Sequence, residues 1–104
     1  MATGSNKKPT TLEQAIGQII VNHRERLGLS QMDLAVATGY SLRYVGDIER
    51  GMKSATLRTM NDLATLFEMR LGALITEAER LLMTKKRPNT FSSAARERFS
   101  KREI

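Results

Sequence analysis

The sequence predicts an all-α domain of five helices, and three observations carry that reading. Apolar residues recur at spacings of three and four along successive stretches, the period at which side chains share one helix face. Hydroxyl residues stand where helices would begin (Thr10 or Thr11, Ser30, Ser41, Ser54 or Thr56), and Gly28, Gly39 and Gly51 stand where three would stop. No stretch shows a convincing strand alternation. The expected helices span 11–27, 30–38, 41–50, 56–68 and 71–83.

The first helix rests on the stripe Leu12, Ile16, Ile19, Ile20 and Leu27, with Glu13 or Gln14 in its first turn. Gly28 ends it, and Leu29 is expected to enter the core. Ser30 and Asp33 have the spacing of a capping box, and Leu34, Ala35 and Ala37 give the second helix its apolar face. Gly39 tolerates the positive φ of a tight turn. Ser41 caps the third helix, from which Val45 and Ile48 point inward together. The fourth helix carries Leu57, Met60, Leu63, Ala64 and Phe67. The fifth carries Leu74, Ile75, Ala78, Leu81 and Leu82, more apolar positions than one face against a small core requires. Part of that surplus is a candidate dimer seam.

Residues 30–51, SQMDLAVATGYSLRYVGDIERG, thus read as two short helices joined by a tight turn, a helix-turn-helix. The second helix of such a unit can enter the major groove of DNA. An αα-hairpin in some other bundle has the same outline. The sharper signal is the series Gln31, Leu34-Ala35, Gly39, Ser41 and Ile48-Glu49-Arg50-Gly51. It closely resembles the DNA-binding domain of the lambda-repressor and Cro-like family, also called the xenobiotic-response-element family. The resemblance covers about Leu12 to Met83. It implies a five-helix bundle of the lambda-repressor-like type, with the helix-turn-helix at helices two and three. The chain departs from the family with Ala55 where relatives usually carry Pro, Glu68 where they often carry Gly, and Leu42 where they carry a polar residue.

On the third helix Arg43 and Asp47, four apart, share the ridge opposite Val45 and Ile48, with Tyr44 and Arg50 beside them. Relatives read bases from the positions matching Leu42, Arg43 and Asp47. A guanidinium at Arg43 can donate two hydrogen bonds to guanine O6 and N7, and Asp47 can accept one from cytosine N4. The same pair can equally be a surface ion pair, or Asp47 can orient Arg43 in the groove. Leu42 can meet a thymine methyl or fold back on the core. Gly46 costs about 1 kcal/mol inside a helix relative to Ala, which a close approach to the DNA backbone would justify.

Gln31 matches the glutamine with which relatives bind a phosphate, at a helix end that also presents free N–H groups. Ser41, Tyr44, Lys53, Thr56 and Arg58 lie around the same expected surface as phosphate candidates, with solvated charge the alternative for Lys53 and Arg58. Relatives often pair the residue at Glu49 with an arginine matching Arg24, a structural tie between the motif and the first helix. They also usually dimerise, which adds to the case for a homodimer.

Composition narrows the function. The 104 residues contain no cysteine, so disulfides and thiolate metal sites are unavailable. No apolar run approaches the roughly 20 residues that span a bilayer, and residues 1–10 lack the apolar segment of a signal peptide. The single histidine, His23, lies within the first helix with no nucleophile at informative spacing, and no Gly-rich phosphate loop follows a strand. An enzyme is therefore not expected, nor a cofactor or metal. The expected location is the cytoplasm of a bacterium, with a bacterial, phage or plasmid origin.

The net charge of +6 is uneven: residues 11–84 hold eight basic and nine acidic residues, whereas residues 85–104 hold seven basic and two acidic. The organisation expected is a disordered arm over 1–10, the DNA-binding domain over 11–84 and a basic tail over 85–104, which can meet DNA phosphates, the other subunit, a protein partner or solvent. The function expected is a sequence-specific transcriptional regulator, a dimeric repressor at a palindromic operator on double-stranded DNA. The alternative is an antitoxin or other interaction module whose tail binds a protein.

Overall fold

The computed structural model describes residues 8–83, so the expectations for 1–7 and for the basic tail lie outside the described residues. Five helices follow in order: α1 (Leu12–Arg26), α2 (Gln31–Thr38), α3 (Leu42–Glu49), α4 (Leu57–Leu66) and α5 (Leu71–Leu82). There is no strand among the described residues, and no helix is long and apolar enough to cross a membrane.

Side chains close the helix ends as their chemistry dictates. The Thr11 hydroxyl accepts from Gln14 N–H at 3.0 Å, and the Gln14 side chain accepts from Thr10 N–H at 2.8 Å. Ser30 and Asp33 form both halves of a capping box, at 3.0 and 2.8 Å. Ser41 caps α3 and Thr56 caps α4. Ser54, the other candidate for α4, instead donates to Glu13 of α1 at 2.9 Å. Gly39 ends α2 in the left-handed region, at φ 85°. Helix α4 stops at Leu66, earlier than expected, and Glu68 turns the chain at φ 59°, a left-handed conformation normally left to Gly or Asn.

The core lies between α1, α4 and α5, with α2 and α3 closing it; Ile20, Leu34, Leu63 and Leu74 are fully buried. Helix α1 packs on both α5 and α3. At its contact with α3, Gly17 leaves no room for a side chain: a Cβ there would collide with the carbonyl oxygens of Ile48 and Glu49. The backbones of α1 and α3 therefore approach closely, and α1 sets the position of α3. His23 adds a tie on the far side, its Nε2 2.8 Å from Glu77 and its ring stacked on Phe67 at 5.5 Å.

Several apolar positions differ from expectation. Leu12 and Leu27 at the ends of the α1 stripe are exposed, as are Ala37 and Leu57. The larger correction concerns α5. Leu74 and Ala78 were expected to contribute to a dimer seam, but both are completely buried inside the domain. They point at α1 and α4 because the last helix closes the bundle. Ile75, Leu81 and Leu82 pack partly buried against the same core, so the surplus is smaller than the residue count implies.

Candidate nucleic-acid interface

Helix α3 buries Val45 and Ile48 and turns Leu42 and Arg43 outward. The Arg43 side chain is 89% exposed, with no partner closer than Asp47 at 3.9 Å. Leu42 is 42% exposed, so it does not fold back on the core. An extended cation and an apolar tip thus project from the start of α3, beside the free N–H groups of its first turn.

Glu49 holds this helix in place. Its side chain is only 3% exposed and accepts from Arg24 Nε at 2.6 Å and Arg24 Nη2 at 3.0 Å. Arg24 Nη1 donates to the Leu29 carbonyl at 2.8 Å. Gln31 Nε2 donates to the second Glu49 oxygen at 2.8 Å. One carboxylate therefore joins α1, the loop before α2, the first residue of α2 and the end of α3. Its hydrogen bond raises the Arg24 pKa above the ordinary arginine value, so the guanidinium stays charged. The Gln31 bond was not anticipated. It leaves one amide hydrogen and the carbonyl oxygen of Gln31 for other partners.

Asp47 forms the expected i, i+4 pair with Arg43, at 3.9 Å, but sits deeper than a ridge position implies. The carboxylate is buried, with the residue 8% exposed, and three cations surround it. Arg50 Nη2 donates to Oδ1 at 2.7 Å, while Lys53 Nζ and Arg43 Nε stand 3.7 and 3.9 Å from Oδ2. The 2.7 Å bond to Arg50 thus occupies one carboxylate oxygen, and the other faces two cations at longer range. Asp47 is a charge hub at the base of the ridge, with its side chain 12% exposed. Gly46 has a matching internal explanation. A Cβ on it would lie 3.0 Å from Arg50 Nη1, so the arginine lies back along the helix over the bare glycine to reach Asp47. Sequence reading noted both residues but not their connection; the signal available was the i, i+4 spacing from Gly46 to Arg50.

The remaining candidates divide by what their polar atoms already do. Lys53 and Arg58 are exposed, and Lys53 makes only the long approach to Asp47. The Ser41 oxygen accepts from Tyr44 N–H at 3.0 Å, leaving its hydroxyl hydrogen for an outside acceptor. Thr56 uses its hydroxyl twice, accepting from Thr59 N–H and donating to the Thr59 hydroxyl at 3.0 Å. The Tyr44 hydroxyl lies 3.2 Å from that same Thr59 oxygen. Tyr44 and Thr56 thus belong to a hydroxyl chain between α3 and α4. Beside it the Tyr40 hydroxyl donates to Asp62 at 2.6 Å. Every buried side-chain nitrogen and oxygen among the described residues has a partner.

A capped α2, a left-handed Gly39 turn and an α3 with one buried and one projecting face define a helix-turn-helix protein. The helix-turn-helix family model matches residues 20–74, and the chain belongs to this lambda-repressor/Cro-like family of DNA-binding regulators. The crystal structure of the restriction-modification controller protein C.AhdI from Aeromonas hydrophila is similar over 60% of this chain and 94% of that one, with 34% identity and a TM-score of 0.57. Two crystal structures of the clp gene regulator ClgR from Corynebacterium glutamicum share the fold at 21% identity and a TM-score of 0.68. One covers 74% of this chain and all of the other, the second 91% and 92%. No curated protein matches the chain.

Proposed function

We propose that this protein is a transcriptional regulator that binds double-stranded DNA sequence-specifically, as a homodimeric repressor at a palindromic operator. The observation that supports this best is the outward end of α3, where Arg43 is 89% exposed and held only by a 3.9 Å approach to Asp47, on a helix tied at its other end through Glu49. A helix fixed in this way, with one exposed and loosely paired guanidinium, suits bidentate recognition of guanine. Leu42, exposed beside it, suits a thymine methyl. Gln31 through its remaining amide hydrogen, Ser41 through its hydroxyl, and Lys53 and Arg58 through their charge are the phosphate contacts of this reading. Tyr44 and Thr56 serve the α3–α4 junction first. Dimerisation would use the partly covered end of α5 around Ile75 and Leu82.

The likeness to a restriction-modification controller at 34% identity favours the same role here over other regulators. The deciding experiment is selection of bound sequences from a random duplex pool. A palindromic consensus found upstream of a methyltransferase or endonuclease gene supports the full reading. A consensus elsewhere retains a regulator of another circuit, and no enrichment removes sequence-specific binding altogether.

A further inference from the structure

We propose that Asp47 is a positioning residue that sequesters Arg50 on the recognition helix, keeping this arginine off the DNA phosphates and so holding down binding to random sequence. The inference rests on the DNA-binding reading above and adds a determinant of specificity to it. Arg43, Asp47 and Arg50 lie at i, i+4 and i+7 of α3, spacings that put all three on one ridge. An arginine at the end of that ridge would ordinarily reach the backbone flanking the groove and add a sequence-independent contact. Here the side chain is 59% exposed, but its guanidinium is bonded back along the helix. Its Nη2 sits 2.7 Å from Asp47 Oδ1, a charge-assisted bond to a nearly buried acceptor. The other two cations stand 3.7 and 3.9 Å from Asp47, too far for hydrogen bonds, and are free to leave.

Gly46 is the independent second observation. A helical glycine is unfavourable, and this one is covered by Arg50, whose Nη1 lies where a Cβ would be only 3.0 Å away. The missing side chain lets the folded-back guanidinium lie against the helix without a tight contact. Glycine and aspartate together form a cradle for one arginine, whereas Arg43, four residues before Asp47, stays extended. The ridge thereby keeps its base-reading cation and withholds a non-selective one.

The test measures equilibrium binding of the full chain to a selected site and to random duplex, from 50 to 300 mM salt. Asp47→Asn keeps the shape but releases the charge. The slope of log K against log salt on random DNA should steepen by about 0.9, the value for one added phosphate contact, with affinity rising about five- to tenfold at 0.1 M salt. The ratio of specific to random affinity should fall. Gly46→Ala should act in the same direction but more weakly while favouring the helix, since its Cβ at 3.0 Å presses the far end of a flexible side chain aside by only a few tenths of an ångström. It carries the test if Asp47→Asn does not fold. Arg50→Gln in the parent protein should leave the slope unchanged, and Asp47→Asn combined with Arg50→Gln should return it to the parent value. If Arg50→Gln alone flattens the slope by about 0.9, Arg50 already contacts phosphate and the proposal fails. If Asp47→Asn instead weakens only the selected site, Asp47 is a base reader and the proposal also fails. A parent protein that binds no duplex at 50 mM salt overturns the DNA reading itself, an outcome distinct from both.

Discussion

Glu49 accepts bonds from two residues on two other helices, and Arg43 touches almost nothing, so truncating them should have opposite consequences. Glu49→Ala leaves the Arg24 guanidinium, itself nearly buried, with only the Leu29 carbonyl. Removing one member of a buried pair costs about 3–5 kcal/mol. In a domain of this size each kcal/mol moves Tm by roughly 4–8 °C, so the loss should be plain in a circular dichroism melt. The sequence preference of the molecules that remain folded should not change. An unaltered Tm would mean the pair is dispensable. Arg43→Ala should leave Tm untouched, cost about 1–3 kcal/mol per half-site and relax preference at one symmetric position. Equal loss on specific and random duplex would make Arg43 a phosphate residue. Gln31→Ala, by contrast, should weaken all sequences alike.

Among the elements, the connections carry stress and charge that can be tested one by one. Glu68 sits at φ 59° after α4, where an L residue with a side chain is disfavoured by roughly 1–2 kcal/mol. Glu68→Gly should therefore stabilise the domain by about 1 kcal/mol, the unfolded-state entropy of glycine offsetting the rest. A lower Tm would show that the Glu68 side chain contributes more than its backbone costs. At the start of α2, bonds from the Ser30 backbone and hydroxyl hold the Asp33 carboxyl below its ordinary pKa. A depressed folded pKa gives stability that is present above the unfolded value near 3.8 and is lost as pH falls through the folded value. The Tm gap between the parent and Asp33→Asn should accordingly be open at pH 7 and close on the acid side of pH 4. A gap independent of pH would assign the effect to shape and not to charge.

For the whole molecule, the proposed DNA binding turns on charge distribution and, in the proposed dimer, on symmetry. Residues 11–84 have slightly more acidic than basic residues, so phosphate attraction must come from a local face, the basic ends, or both. Deleting residues 85–104 should flatten the salt slope by about 0.9 for every phosphate the tail neutralises. An unchanged slope would leave the tail to a protein partner or to solvent. In a dimer the two α3 helices would enter successive major grooves 34–36 Å apart, so half-sites about one helical turn apart are expected. Sedimentation of the complex should give two protomers on a full site; one protomer per site would remove the dimer and leave the motif intact.

Periodicity and capping chemistry were enough to determine five helices, their order, and most of their ends, because these depend on neighbours within four residues. The same local reasoning identified Ser30, Gly39 and Ser41 as the punctuation of the motif, and Val45 and Ile48 as its inner face. What it left open depended on residues far apart in sequence. Whether Leu74 and Ala78 face a partner or the core depends on where α1 and α4 stand, since an apolar residue satisfies either surface equally. That Gly17 is a contact and not a weakness follows only from the carbonyls of Ile48 and Glu49 above it. Asp47 shows the limit most clearly. Its spacing puts it on the outward ridge, but its exposure is decided by cations that fold over it, one of them from the loop beyond α3. Helical register specifies the direction a side chain leaves the backbone; the tertiary structure decides what has already reached it.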